Sequence, residues 1–254
     1  TEFAPLLTTS YQHEYGNIYT TPADVYTPTY AAGIETLLPN ALPISTLFQQ
    51  GKLPQSAMFD STVPTVTDPT LQGLLNVPTA NPVFAAGFGE PSLINNAFRL
   101  AYATDAYSDP DGAALLGTTA LAATEPAQPL RRAFYLNDMR YGSWAPSAPT
   151  LMCGGDEDPT VFFNLNTGTM AAFWSGLPAG LITVVDVNAA PSGAFAPIQT
   201  AFQASETAQL QGLETTGGLT AAAAQLQLLQ SYHSDVAPFC ALAARSFFNQ
   251  FVAE

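Results

Sequence analysis

The chain has 254 residues, of which six are basic and 20 are acidic, and its formal net charge at neutral pH is −14. Because nucleic-acid binding needs a basic face, this balance argues against nucleic-acid partners, and it disfavours anionic membrane surfaces. The hydrophobic fraction of 47% is ordinary for a globular protein and too high for a disordered one, and no apolar run reaches transmembrane length.

The first 148 residues have helical patterns separated by proline-rich connectors, and they lack a succession of strands. The predicted helices lie at 2–15, 33–49, 91–106 and 127–141. Asp68 followed by Pro69 predicts the start of a further short helix, since Asp is a favoured N-cap and Pro is favoured in the first turn. We therefore expect residues 1–148 to form a mainly helical cap.

Residues 149–254 have a different pattern, in which strands alternate with helices. Residues 150–153 form one predicted strand, and the β-branched, apolar stretch 181–187 has the character of a buried parallel strand. The predicted helices lie at 165–175, 197–213, 219–230 and 235–252. The order predicts an α/β fold with a parallel sheet. Two strands alone would leave both sheet edges unpaired, so further strands are expected from elsewhere.

Two polar segments in this second part suggest catalysis. The strand at 150–153 leads through glycines into an acidic loop with Asp156, Glu157 and Asp158, and His233, one of two histidines, follows much later. A carboxylate after a strand, followed by a histidine, is typical of the second half of a Ser-Asp-His triad. The first half requires a serine in a Gly-x-Ser-x-Gly turn, and the sequence has none. We expect the nucleophile on a separate chain or on a missing segment.

The two cysteines flank these two segments. Cys153 ends the first strand and Cys240 follows the histidine segment. A triad brings the acid loop and the histidine together, so it would also bring the two thiols together, and we expect a disulfide; two separate buried thiols are the alternative. A disulfide indicates an oxidising compartment, so the protein is expected to be secreted or periplasmic, with any signal peptide removed or on a missing segment.

The second part resembles the C-terminal end of α/β-hydrolases of the secreted lipase, esterase and prolyl-aminopeptidase-like kind. The residues that carry the resemblance are 153–161, 181–187 and 232–240. In that family the acid is the Asp of a Gly-x-x-Asp-Pro-x-Val loop, which nominates Asp158, and the histidine precedes the last helix, which nominates His233. Residues 1–148 then stand where the family has a cap after its sixth strand, while the first six strands, the nucleophile turn and the oxyanion loop have no counterpart.

The resemblance implies hydrolysis of a small apolar or aromatic carboxylic ester through an acyl-enzyme, with His233 as base and Asp158 as the residue that orients it. The runner-up acid is Asp156, and Asp235 is expected to cap the last helix. Each candidate also has a structural interpretation: Asp158 could be a carboxylate at a helix N-terminus, and His233 a capping or core residue. The resemblance also includes serine peptidases.

Other interpretations of the chain remain open. An N-terminal Thr1 could be the nucleophile of an amidohydrolase, or the chain could be a cap-bearing subunit that only binds. No cofactor fingerprint is present, and two histidines with two distant cysteines lack zinc-site spacing. His13 is expected to be structural or to line a pocket. Several aromatic residues could form either an acyl pocket or the core of the cap: Phe84, Phe88, Phe98, Phe134, Tyr135 and Trp144.

Overall fold

The computed structural model describes residues 1–38, 42–80, 82–111, 122–142 and 144–251, and for residues 82 and 83 it describes the backbone only. These residues form two compact units. The first unit consists of the described residues up to 141, and the second unit of those from 142 onward.

The first unit is helical. Its helices are α1 (Phe3–Tyr15), α2 (Pro28–Ala31), α3 (Ile44–Gln49), α4 (Pro69–Leu75), α5 (Pro82–Ala85), α6 (Asn96–Ser108) and α7 (Pro129–Leu136), with 3₁₀ turns at Pro22–Asp24 and Ile34–Thr36. Helix α1 ends at Gly16, whose φ of 68° is a left-handed C-cap conformation that glycine adopts without strain. Helix α4 begins as predicted, because the Asp68 carboxylate accepts hydrogen bonds from the Thr70 and Leu71 amides at 2.8 and 2.9 Å.

An apolar core holds the described part of the first unit together. Its fully or almost fully buried members include Val25, Tyr26, Ile34, Leu47, Leu53 and Leu93. The chain around Tyr26 pairs with Ile94 through an isolated antiparallel bridge, which joins distant segments at the core. A buried ion pair joins two helices, since the Arg131 guanidinium lies 2.5 Å from the Asp105 carboxylate.

The second unit has an α/β organisation. Strands β1 (Thr150–Gly154) and β2 (Ile182–Asp186) are parallel, with Thr150 opposite Ile182 and Gly154 opposite Asp186. A π-helical turn (Asn164–Gly168) and α8 (Thr169–Phe173) connect the strands, and a 3₁₀ turn (Gly193–Phe195), α9 (Ala196–Thr215) and α10 (Ala221–Asn249) follow them. The core between the strands and the two long helices consists of Val185, Val187, Phe202, Tyr232, Val236 and Ala243.

The end of the chain differs from the prediction. We predicted a loop at His233 between two helices, with Asp235 capping the second, and this is wrong because α10 is continuous from Ala221 to Asn249. The helix accommodates the polar residues that suggested a break: the Ser231 hydroxyl donates to the Leu228 carbonyl at 3.1 Å and to the Asp235 carboxylate at 2.8 Å. The local polar groups are thus satisfied inside the helix and do not end it.

The predicted helix at 33–49 also differs from the structure. The structure has the 3₁₀ turn Ile34–Thr36 at its start and α3 at its end, and residues 39–41 lie outside the described part. The predicted helices at 2–15, 91–106 and 127–141 correspond to α1, α6 and α7 with shifted ends. None of the described helices is both long and apolar enough to cross a membrane.

Candidate acid–base site

The acid loop leaves the end of β1 through two glycines that have no room for a side chain. A Cβ atom on Gly154 would lie 2.8 Å from the ring of Phe163, and one on Gly155 would lie 2.5 Å from the Tyr232 hydroxyl. Burial raises the pKa of Tyr232 far above its usual range, so this phenol stays neutral. The glycine pair therefore allows α10, which carries Tyr232, to approach the start of the loop closely.

The two carboxylate oxygens of Asp158 have different partners. Oδ1 accepts hydrogen bonds from the backbone amides of Thr160 and Val161 at 2.8 and 3.0 Å. Oδ2 lies 2.7 Å from Nδ1 of His233. The Asp158 side chain is only 5% exposed. The amide bonds fix the carboxylate within its own loop, and the second oxygen is thereby directed to the imidazole.

His233 lies in the middle of α10, one residue beyond the buried Tyr232. Its side chain is 44% exposed, in contrast to that of Asp158. Because an ionised carboxylate can only accept, the contact requires Nδ1 to carry the proton of the neutral imidazole. In this tautomer Nε2 is the basic nitrogen of the ring, which is the arrangement of the imidazole in a serine triad.

The predicted disulfide between Cys153 and Cys240 is present. The Cα atoms are 5.6 Å apart, and the bond closes a loop with a sequence separation of 87. It joins the last part of β1, from which the acid loop leaves, to α10 about two turns beyond His233. The elements that carry the two site residues are therefore joined covalently as well as by packing.

The runner-up acid, Asp156, has other partners. Its Oδ1 accepts from the side-chain amide of Asn188 at 3.0 Å, and its backbone N–H donates to the Asp186 carboxylate at 3.2 Å. Asp186 also accepts from the Asn188 backbone amide at 2.9 Å. These bonds tie Asp156 to the turn that follows β2.

A group of carboxylates makes this side of the second unit strongly acidic. Partial burial and, to a smaller extent, the nearby negative charges of Glu157, Asp156 and Asp235 together raise the pKa of Glu206 to about 7. Burial also raises the pKa of Asp186, with a contribution from Asp156. The negative potential around the loop disfavours anionic molecules at this place.

The aromatic candidates separate between the two units. Phe88, Phe98 and Phe134 line an apolar cavity of about 460 Å³ in the first unit. Tyr135 lines a neighbouring cavity of about 300 Å³. Trp144 belongs to the second unit and contacts Trp174 edge to face, with ring centroids 5.5 Å apart.

The remaining candidates lie in the first unit. His13 is exposed in the last turn of α1, where a histidine interacts favourably with the helix dipole. The Thr1 hydroxyl donates to the Pro54 carbonyl. Within the described ranges no three His, Cys, Asp or Glu side chains are arranged to hold a metal ion.

Sequence reasoning missed the supporting residues of the site. Tyr232 packs on Gly155, and Asn188 binds Asp156. Tyr232 stands in the segment 232–240 that carries the resemblance, which assigns it no role, and Asn188 lies outside every such segment. The adjacent glycines at 154 and 155 were the available signal, since such a pair at a strand end often marks a close approach of another element.

No protein-family model matches the chain, and no curated protein matches it. Among solved structures, the chain is similar to the rice cell wall degrading esterase LipA from Xanthomonas oryzae. A ligand-bound form matches with a TM-score of 0.44 at 22% identity. Another structure of the same esterase matches with a TM-score of 0.43 at 22% identity. Each match covers 72% of this chain and 34% of the esterase chain. This chain thus spans about a third of the length of the structures it matches, and we base the proposed function on its own contacts.

Proposed function

We propose that this chain supplies the acid and the base of a serine carboxylic-ester hydrolase of the α/β-hydrolase kind. The observation that carries the proposal is the contact of 2.7 Å between Asp158 Oδ2 and His233 Nδ1. The buried carboxylate is fixed by two amides and the imidazole is partly exposed. This arrangement meets the demand of a triad, in which one carboxylate holds the Nδ1–H tautomer while the opposite nitrogen acts on a hydroxyl.

The nucleophile in this proposal is a serine on a complementary segment with the Gly-x-Ser-x-Gly turn, which this sequence lacks. The sheet supports the need for such a segment. Thr150 N–H donates to the Leu181 carbonyl, and the Gly154 carbonyl accepts from Val187 N–H, so these residues bond toward β2. By alternation, Leu151 and Cys153 direct their backbone groups to the opposite edge, where no strand of the described residues lies. A further strand there would complete the sheet.

In the proposed mechanism, Nε2 of His233 removes the proton from the serine hydroxyl as its oxygen attacks the ester carbonyl. Asp158 keeps the proton on Nδ1 and stabilises the imidazolium that forms. His233 then gives the proton to the departing alkoxide, which leaves an acyl-serine and a free alcohol. Water repeats the sequence and releases the carboxylic acid. Backbone amides on the complementary segment would stabilise the oxyanion.

The surroundings of the pair favour an uncharged substrate. The carboxylates Glu206, Asp156, Glu157 and Asp235 near the acid loop repel an anionic one. A small apolar or aromatic ester fits this demand, and a peptide bond cleaved by the same residues is the alternative within the class. The disulfide supports a secreted or periplasmic location, because such bonds persist in oxidising compartments.

Two other functions compete with this proposal. A subunit that only binds would have no need of a histidine fixed by a buried carboxylate, although an ion pair can be purely structural. An N-terminal nucleophile would need the hydroxyl of Thr1, which is bonded to the Pro54 carbonyl. The proposed triad gives Asp158 and His233 a chemical role, which neither alternative requires.

The test is covalent labelling of the native protein with a fluorophosphonate that reacts with activated serines, followed by peptide mapping. We expect the label on a serine within Gly-x-Ser-x-Gly on a segment that copurifies with this chain. Labelling should be lost when His233 is replaced by alanine. A label on Thr1 would replace the proposal with the N-terminal nucleophile, and complete lack of labelling would support the binding subunit.

A further inference from the structure

The first unit contains an apolar cavity of about 460 Å³, which is a typical size for a small-molecule site. Its walls come from α1, α4, α6 and α7 and from the segments around Phe59 and Phe88. Nearly all lining side chains are aliphatic or aromatic. The exception that carries a charge is Arg99 on α6.

Arg99 is unusual because its guanidinium is buried without a carboxylate in direct ion-pair contact. The residue is 6% exposed, and among the described residues no Asp or Glu oxygen lies within 4 Å of its guanidinium. The Asp60 carboxylate attracts the guanidinium from beyond that distance. The guanidinium lies over the ring of Phe59 at 5.2 Å and over that of Phe88 at 4.9 Å. Buried arginines are normally in direct contact with a carboxylate, since a charge inside a protein is costly without such a partner.

The hydrogen bonds of Arg99 use only some of its N–H donors. Nη1 donates to the Asp60 carbonyl at 2.9 Å and to the Asn96 side chain at 3.4 Å, and Nη2 donates to the Leu75 carbonyl. These three acceptors serve a group with five N–H donors. The aromatic rings lie against the faces of the guanidinium, and its remaining N–H groups project from its edge. An edge of this kind can bind a carboxylate in a bidentate manner.

We propose that this cavity binds an amphipathic monocarboxylate, whose carboxylate pairs with Arg99 and whose apolar tail fills the cavity. The positive charge of Arg99 favours an anionic group, the planar guanidinium fits a carboxylate, and the apolar walls favour a hydrocarbon or aromatic tail. The site belongs to the first unit alone and does not depend on the hydrolase activity proposed for the second.

The test is calorimetric titration of the 254-residue chain at neutral pH with decanoate and with decan-1-ol. The alcohol has the same number of carbon atoms without the charge, and both ligands are kept below the concentrations at which they aggregate. We expect decanoate to bind at one site at least tenfold more tightly than the alcohol. Equal affinities would show a merely apolar cavity and would overturn the proposal, as would the lack of saturable decanoate binding.

Variants of the chain separate the charge from the cavity. Arg99→Lys keeps a charge but loses the bidentate geometry, and we expect decanoate to bind at least fivefold more weakly with the affinity for decanol unchanged. Ala103→Phe fills the cavity, so the affinities for decanoate and for decanol should both fall at least tenfold. Arg132→Met, which removes an exposed arginine of the same unit, is the matched control and should change neither affinity. Circular dichroism checks that each variant is folded.

The cavity-filling variant keeps the test decisive if Arg99→Lys fails to fold, because Ala103 makes none of the Arg99 hydrogen bonds. Decanoate affinity that is unchanged in a folded Ala103→Phe variant would place the ligand elsewhere and refute the site. Activity on esters plays no part in these measurements, so failure of this proposal and failure of the hydrolase proposal are distinguishable.

Discussion

Asp158 and Asp156 are two residues apart in the same loop, and their partners separate them chemically. Asp158 has one oxygen bonded to two amides and the other bonded to His233. Asp156 is bonded to Asn188 beside the end of β2. A backbone-bound carboxylate cannot turn toward other donors, so Asp158 can fix one orientation of the imidazole. The structural and the catalytic interpretations of Asp158 are therefore compatible, since each uses a different oxygen.

The close contact between Gly155 and Tyr232 predicts a loss of stability when a side chain is added at Gly155. Gly155→Ala should lower the free energy of unfolding of the second unit by about 1–3 kcal/mol, because its Cβ would meet the Tyr232 hydroxyl at 2.5 Å. Gly176→Ala is the control, since no atom lies within 4 Å of its Cβ position, and it should change stability by less than about 0.5 kcal/mol. Urea unfolding measures both. Equal effects of the two substitutions would contradict this packing.

The raised pKa of Glu206 predicts that the stability of the chain depends on pH. Its pKa is raised to about 7 in the folded chain from its ordinary value of 4.5, so the folded state binds more protons than the unfolded state between these values. The favourable contribution of Glu206 to the free energy of unfolding is therefore complete below about pH 4.5 and is lost as the pH rises to about 7. Glu206→Gln should be more stable than the parent chain above pH 7, by on the order of 1 kcal/mol after solvent screening.

Urea unfolding of the parent chain and of Glu206→Gln at pH 5 and pH 8 tests this sign. Thr207→Val, at the neighbouring exposed position, serves as a control without an ionisable group. A stabilisation by Glu206→Gln that is as large at pH 5 as at pH 8 would show that the effect does not come from the raised pKa.

At the scale of elements, the strands were predictable because their sequences have a strong local signature. Ile182–Asp186 is β-branched and apolar, and Thr150–Gly154 ends in glycines. The continuity of α10 was not predictable from local sequence, since Ser231, Ser234 and Asp235 favour turns in isolation. Packing of Tyr232 and Val236 in the core carries the helix through this segment. Long-range burial therefore outweighed local preference.

The disulfide between β1 and α10 is expected to stabilise the folded chain. Replacing both Cys153 and Cys240 with alanine should lower the free energy of unfolding by about 4 kcal/mol, because the bond closes a loop with a sequence separation of 87 in the unfolded chain. The parent chain unfolded in reductant should behave like the double variant. Two freely alkylated thiols in the native protein, or equal stability of parent and double variant, would contradict the bond.

At the scale of the whole molecule, the sequence predicted a helical first part and an α/β second part, and the described residues have this character. The contact between Asp158 and His233 could be expected from a motif, since both residues stand in recognisable segments. The cavity with Arg99 could not, because its lining comes from segments far apart in the chain with no common pattern. Only the tertiary packing brings Phe59, Phe88 and Arg99 together.

We propose that Asp158 and His233 act as one catalytic pair on a serine supplied by a complementary segment. The direct measurement is turnover of a p-nitrophenyl ester by the complete enzyme with single substitutions in this chain. We predict that Asp158→Asn lowers kcat by about 10⁴ with the fold intact, that His233→Ala costs at least as much, and that the matched control Asp156→Asn costs far less. Full turnover with Asp158→Asn, or an equal loss with Asp156→Asn, would contradict the account.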